Sequence, residues 1–434
     1  MPRHTISHIP ADDASNGWQA LLPPRPGKPP LTGRQNADWV VVGAGFTGLA
    51  AARRLAELRP NDRIVLIEAQ QVGDGASGRN SGFIIDLPHN VDAQSVEDQA
   101  ANDRVRRLNR AAITHLKDLV DRHAIACDWS EIGKIHAAIE PAGEREIASL
   151  ARGLDAMGEA YDLLSRDQLA EILGTPYYSQ GLRTANCVLM QPAALVRGLA
   201  DSLPDAVQLC ENSPVIALEQ TAQGWRLTTP EAEITASRLI LATDAFTRCF
   251  GFLQSRLVPV YTYASLTPPL AIGGAPEWAV LPAHKAGTTL RRLKDGRVLV
   301  RNSFRYGGDF TCSDAHLGRA RRFHLQSLRD RWPDAPPAFE NTWGGVVCFS
   351  RNFTPFFGQL SDGLYAAAGT NGVGAAKGTI AGRLLAESVL GHESPLLADI
   401  TAYAPPAWNP PEPLLGWAVS ARLMLEQQAA GRER

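Results

Sequence analysis

One stretch near the N-terminus restricts the fold more than any other. Trp39-Val40-Val41-Val42 is a short apolar run suited to a strand buried on both faces. It passes directly into Gly43-Ala44-Gly45-Phe46-Thr47-Gly48, after which Leu49, Ala52, Leu55 and Leu58 recur at helical spacing until Pro60 ends the helix. Arg63-Ile64-Val65-Leu66-Ile67 reads as a second buried strand with Glu68 at its end. Strand, helix and parallel strand in about thirty residues make a βαβ unit. Chemistry explains the glycine spacing: Gly43 permits the tight turn, Gly45 lets a pyrophosphate reach the backbone, and Gly48 lets helix and sheet pack closely. The helix N-terminus then faces the negative charge, and Glu68 suits the hydroxyls of a ribose. The alternative is an ordinary glycine-rich turn. Both strands, the helix and the acid in place favour a dinucleotide site.

The rest of the chain suits a large α/β protein. Residues 1–36, polar and rich in proline, are expected to run extended over the surface. Val105, Leu108, Ala112, Leu116 and Leu119 form one face of a helix, Lys134 to Ile139 reads as a strand, and helices are expected at 143–157, after Ser165 and at 193–202. Strands are expected at Val215–Leu218, Trp225–Thr228, Glu233–Thr235 and Leu239–Thr243. Residues 251–345, richer in aromatics, proline and arginine, suit an antiparallel unit. A strand at Leu364–Gly369 and a helix from Gly374 to Leu390 return to α/β patterning, and residues 413–434 suit a last helix packed on this chain or a neighbouring one.

Charge and cysteine spacing exclude several functions. A net charge of -2 leaves no basic excess for nucleic acid. The six cysteines form no CxxC pair and match neither a zinc site nor a disulfide framework. Leu257 to Ala275 is apolar but carries three prolines, which argues against a membrane span, and the N-terminus lacks a secretion-signal core. These features predict a cytoplasmic protein.

Two further glycine runs stand out. Gly73-Asp74-Gly75-Ala76-Ser77-Gly78-Arg79-Asn80-Ser81-Gly82 is built of small residues that allow a loop to lie against a flat ring or a phosphate; its bland alternative is a flexible loop. Gly369-Thr370-Asn371-Gly372-Val373-Gly374 has the glycine spacing of a P-loop, but Ala375 stands where the lysine belongs and Lys377 comes two positions late. A strand, glycine turn and helix N-terminus would instead place positive partial charge beside a reduced ring.

Together the segments VVGAGFTGLAAARRLAE, IEAQQVGDGASGRNSGFI, RLILATDAFT, LVPVYTYASLTPPL, KDGRVLVRNS, WGGVVCFSRNFTPFFG and GLYAAAGTNGVGAAKG resemble the D-amino-acid oxidase superfamily of FAD enzymes. The similar branch contains glycine oxidase, monomeric sarcosine oxidase and γ-glutamylputrescine oxidase. The resemblance implies a Rossmann-like FAD-binding domain with a second, antiparallel-sheet substrate domain. It assigns residues 37–88, 145–250 and 345–395 to the first, 89–144 and 251–344 to the second, and 396–434 to a C-terminal tail. It also implies two-electron oxidation of the C–N bond of a small-molecule amine or amino acid, with O2 or another acceptor reoxidising the flavin.

Carried over by position, Gly43, Gly45, Phe46, Thr47 and Gly48 would meet the pyrophosphate, and Glu68 with Ala69 the adenosine ribose. Gly75, Ala76, Ser77, Arg79, Asn80 and Ser81 would line the path from pyrophosphate to flavin. Val215 would contact adenine through its backbone, with Ala242 and Thr243 nearby. Gly372, Val373, Gly374 and Lys377 would set the last helix against the flavin's pyrimidine side.

Three departures bear on chemistry. Val373 replaces the histidine of a frequent Gly-His-Gly. Leu299 and Val300 stand where the sarcosine oxidase branch has a lysine that speeds reaction with oxygen. Arg301 and Arg305 occur where the putrescine-like branch has small or neutral residues; a carboxylate clamp and a solvated strand end are the alternatives. Cys348 matches the cysteine that carries covalent flavin in sarcosine oxidases, against the alternative of an inert buried thiol. Arg301, Tyr261 and Tyr263 are the expected catalytic-site residues, while His89 and His136 read as ordinary histidines. Two rivals remain at this point: a nicotinamide-dependent dehydrogenase, and a non-catalytic FAD-binding electron-transfer subunit.

Overall fold

The computed structural model describes residues 3–11, 14–88, 96–336 and 338–434. Strand β1 (Gly33–Val42) leads through the first glycine run into α1 (Phe46–Leu58), and β2 (Ile64–Ile67) follows. The chain continues through the long helix α2 (Val96–Arg122), β3 (Val207–Cys210), β4 (Ala232–Leu241) and the strands β5 (Leu257–Leu266), β6 (Thr289–Arg292) and β7 (Val298–Tyr306). Helix α3 (Asp314–Arg331), strands β8 (Asn341–Ser350) and β9 (Leu364–Ala368), and helices α4 (Gly374–Val389) and α5 (Leu414–Ala429) complete the framework.

The centre of the first sheet is parallel, in the order β3-β2-β1-β4-β9. Alternate residues explain why its strands are apolar throughout. Val41, Leu66, Ile240 and Ala367 pack beneath the helices with Leu49, Leu55, Ile380 and Leu384. Val40, Val42, Val65, Ile67 and Leu239 face an antiparallel layer built around Trp225, Leu227 and Ile234. Glu233–Thr235 and Leu239–Thr243, expected as two strands, are one. Both halves pair with β1, while the other edge of β4 changes partner from Gly224–Thr228 to β9. The strand expected from Val215 begins at Ala217.

The second sheet has eight strands, in the order β8-β5-β7-β6 and then 278–282, 134–138, 180–184 and 162–165. Its pairs are antiparallel except 134–138 with 278–282. Residues 162–184 were expected with the first sheet; Leu164 and Leu182 instead bury against Ile135, Ala137 and Ala138 of the second. β8 likewise pairs with β5 along its whole length, across the expected boundary at 345.

Both ends of the chain are folded in. The N-terminal segment runs over the surface only in part: residues 23–30 are mostly exposed, but Trp18 is 0% and Leu31 1% exposed. A large ring buries there because its N–H finds a carbonyl, that of Asn80. At the other end, Leu415, Val419 and Leu423 of α5 pack on Val258, Val260 and Phe349 of the same chain. Gln427 brackets the Phe304 backbone, accepting from its N–H and donating to its carbonyl.

Candidate functional site

The C-terminal ends of β1, β2 and β4 finish level, tied by Gly43 N–H to Ile67 O at 2.7 Å and Ala242 N–H to Val42 O at 2.9 Å. Gly43 has φ +98, and a Cβ there would lie 2.7 Å from Ala242 O. A Cβ on Gly48 would lie 1.8 Å from Gly43 O. Only glycine allows this turn and this closeness of helix to strand. The N-cap residue of α1, Gly45, supplies no side-chain bond to the helix amides. Glu68 accepts from Ala44 N–H at 2.7 Å and Gln70 N–H at 3.2 Å. Burial raises its carboxyl above the usual range although these amides oppose the shift. Ala69 follows it, and Val215, 5% exposed, lies in the adjoining segment that Ser213 N–H ties to Glu68 O.

The second glycine run reaches the first through Ser77, whose hydroxyl accepts from Phe46 N–H at 3.1 Å. A Cβ on Gly45 would lie 2.6 Å from that oxygen, whereas Gly75 faces open space. Asn80 holds its own turn, donating to Ser77 O and accepting from Gly82 N–H, both at 2.8 Å. Arg79 donates to Asp74 O and to Gly344 O, which bridges the run to β8.

The third run closes on the first by helix packing. Cβ atoms on Gly378 and Gly382 would lie 2.9 Å from Thr47 Oγ1 and 2.0 Å from Thr47 O, so α4 and α1 touch through their backbones. The turn before α4 holds Gly369, Asn371 and Gly372 at φ +80, +54 and +86. Asp244 accepts from Gly369 N–H at 2.8 Å and Thr370 N–H at 3.4 Å, and burial raises its carboxyl to about 6. Gly372 is exposed, Val373 is buried, and α4 starts at Gly374 with no side-chain cap. Lys377 has no hydrogen-bond or ion-pair partner among the described residues, and burial lowers its ammonium to about 8. Cys348 is 0% exposed among Ala245, Leu257 and Ala368, and burial pushes its thiol far up, against the thiolate form. Thr243 hydrogen-bonds Thr247 at 2.9 Å beside this turn.

The second sheet separates the expected catalytic residues. Ala264, Leu266 and Leu299 bury against Trp18 and Trp343, and Arg301, opposite Ala264 in register, continues that face. Arg301 lies 5.0 Å above the Phe304 ring, has no hydrogen-bond or ion-pair partner among the described residues, and is lowered by burial to about 10. Thr262 shares the Ala264 parity, and its buried hydroxyl also lacks a partner. Tyr261 and Tyr263 pack instead with Ala320 of α3, their rings stacked 6.4 Å apart. The alternation of β5 therefore does not bring them together with Arg301. Arg305 is committed to Asp309 at 2.9 Å and to Tyr263. His136 lies within the strand 134–138, and His89 lies outside the described residues.

The sequence pattern of the family described as "FAD dependent oxidoreductase" matches residues 38–388. The chain belongs to this family. Among curated relatives, a "Probable oxidoreductase OrdL" of Haemophilus influenzae is 28% identical, with 85% of this chain and 86% of the relative covered. The "Gamma-glutamylputrescine oxidoreductase" of Escherichia coli is 25% identical, over 82% of this chain and 84% of the relative. The solved glycine oxidase from Geobacillus kaustophilus superposes with a TM-score of 0.68 at 20% identity, covering 83% of this chain and 96% of the other.

This FAD dependent oxidoreductase is thus an enzyme of the D-amino-acid oxidase type. The framework suits FAD: the N-termini of α1 and α4, whose own N-cap residues supply no side-chain bond, adjoin Gly43 and Gly48, which no Cβ can replace, beside the Glu68 carboxylate. Sequence reasoning missed Asn16, Trp18, Asp244, Arg291 and Gly382. Only Gly382 left a signal, the spacing Gly374-xxx-Gly378-xxx-Gly382. Among the described residues no helix is long and apolar enough to cross a membrane.

Proposed function

We propose that this oxidoreductase oxidises the C–N bond of a carboxylate-bearing amine or amino acid, N-substituted and γ-glutamylated amines included. The product is an imine, which water hydrolyses to a carbonyl compound and the released amine. The electrons pass to O2, giving H2O2, or to another acceptor. Arg301 carries this reading: a guanidinium with no partner among the described residues, on the sheet face shared with Trp343 and Trp18. A charge left unpaired in a half-buried site costs free energy unless a ligand completes it.

In this reading the turns at Gly43–Gly48 and Gly75–Ser81 receive the pyrophosphate and ribityl chain, and Glu68 and Ala69 receive the adenosine ribose. Val215, Ala242 and Thr243 line the adenine side, and Gly372, Val373, Gly374 and Lys377 border the flavin. FAD, when bound, supplies a two-electron acceptor. Arg301 pairs bidentately with the substrate carboxylate, and the Phe304 ring beneath limits how the fork turns. Thr262 Oγ1, unpartnered and buried, offers a hydrogen bond to the same ligand. Leu299, Trp18 and Trp343 exclude water on that face. Oxidation of the C–N bond needs the amine unprotonated, neither tyrosine shares the Arg301 face, and orientation does most of the catalytic work. Buried Cys348 stays unattached.

The test is anaerobic bleaching of the flavin by amino acids, N-methyl amino acids, polyamines and γ-glutamyl amines. Carboxylate-bearing members should bleach it and simple polyamines should not. Arg301→Gln should raise KM for the active substrate about 100-fold while changing kcat little. Bleaching by polyamines alone, or an unchanged KM, would overturn the assignment.

A further inference from the structure

We propose that the segment Asn16–Gln19, which precedes the family-matched stretch, is a positioning element that orients the backbone of the second glycine run toward FAD; this rests on the cofactor reading above. Four successive sources of N–H donors take up the carbonyls of that run. Asn16 Nδ2 donates to Gly78 O at 3.1 Å and Gly73 O at 3.4 Å, straddling the neck of the loop. Trp343 Nε1 donates to Arg79 O at 2.9 Å, Trp18 Nε1 to Asn80 O at 2.8 Å, and Arg291 to Gly82 O at 3.1 Å. With the carbonyls at 78, 79, 80 and 82 drawn to one side, the amides of Asn80 and Ser81 remain without a partner among the described residues. Backbone N–H groups left open beside Ser77 and the first glycine run fit the acceptor atoms of a flavin or phosphate.

The N-terminal segment is rigid enough for this task. Asn16 Oδ1 accepts from Trp18 N–H at 3.1 Å and so starts a helical turn, and Gln191 Nε2 donates to Trp18 O at 2.7 Å. Gln19 Nε2 reaches Asp74 Oδ1 at 2.9 Å, at the start of the run. The Trp18 indole is held edge-on to Trp343, with ring centroids 6.4 Å apart, and the Arg291 guanidinium lies 5.5 Å from it. Asn16 and Trp18 are 3% and 0% exposed, so neither bond competes with water.

Two variants of the full chain test the proposal. Asn16→Asp keeps the acceptor for Trp18 N–H, removes the donor to Gly73 and Gly78 and sets a carboxyl oxygen against their carbonyls. Trp18→Phe keeps an aromatic ring, removes the donor to Asn80 and leaves the space of the lost indole ring. Each should weaken FAD binding by about tenfold, read as flavin fluorescence on release, and each should also lower the melting temperature of the apoprotein, so the deciding readout is where exchange changes. In the apoprotein itself, amide exchange across residues 73–82 should quicken in both variants while that of 43–48 stays the same. FAD affinity within twofold of wild type in Asn16→Asp, with unchanged exchange at 73–82, overturns the proposal even if Trp18→Phe folds poorly. A wild-type apoprotein that takes up no FAD would instead sink the cofactor reading, and the exchange comparison would still report on the strap.

Discussion

The first and second glycine runs meet at Ser77 and Phe46 but are held in different ways. The turn at 43–48 takes its path chiefly from its neighbours in sequence, since β1 feeds it, α1 leaves it and Gly48 packs on Gly43 O, while Glu68, Ser77 and Ala242 touch it from further along the chain. The loop at 73–82 owes its shape largely to side chains from afar, at 16, 18, 291 and 343. A dinucleotide cradle can thus be half local code and half tertiary clamp. The two halves should fail differently when damaged.

The largest effect is expected at the local turn. Gly48→Ala forces a Cβ to 1.8 Å from a backbone carbonyl, so β1 and α1 must separate. Loss of at least about 3 kcal/mol of stability and of all bound flavin is expected, read by thermal unfolding and by the visible spectrum. Retained flavin at a wild-type melting temperature would show the turn to be more tolerant than its geometry implies.

Next comes the clamp. Arg291 is 2% exposed and donates to Gly82 O and Met190 O, while burial holds its guanidinium near 10. Arg291→Leu orphans the Met190 carbonyl, leaves Gly82 O with the Met190 N–H alone, and should cost about 2 kcal/mol. Faster amide exchange is expected at 73–82 but not at 43–48; equal acceleration of both would erase the distinction between them.

The third run offers a subtler test through pH. Burial raises the Asp244 carboxyl from 3.8 to about 6, so the folded state holds this proton more tightly than the unfolded state. Its contribution to stability is complete below the unfolded value of 3.8 and is lost as pH rises through about 6. Asp244→Asn keeps an acceptor for Gly369 and Thr370 and should gain about 2 kcal/mol over wild type near neutrality, with no gain in acid. Parallel stability profiles of the two proteins from acid to neutral pH would exclude this titration. The smallest effect belongs to Cys348: acid precipitation should release the flavin, and Cys348→Ala should bind FAD as wild type does. Yellow colour retained in the pellet would mean a covalent bond.

The same contrast explains what could be read from the sequence. Periodicity and glycine spacing located β1, α1, β2 and the turn between them, because those signals are local. The role of Trp18 was invisible, since nothing in a polar, proline-rich leader announces a partner at Asn80 or Trp343. Tyr261, Tyr263 and Arg301 were grouped by chemistry, but the alternation of β5 put the tyrosines against α3. Which face of a sheet meets a helix depends on packing that no short pattern records. Asp244 escaped for a similar reason: its partners at 369 and 370 lie more than a hundred residues away.

One consequence concerns the order of events on the ribosome. The N-terminus of α1 finds its backbone contact on Gly378 and Gly382 of α4, more than three hundred residues further along the chain. The early βαβ unit emerges first and waits for that helix, so the pairing of the two helix N-termini is a late event of synthesis.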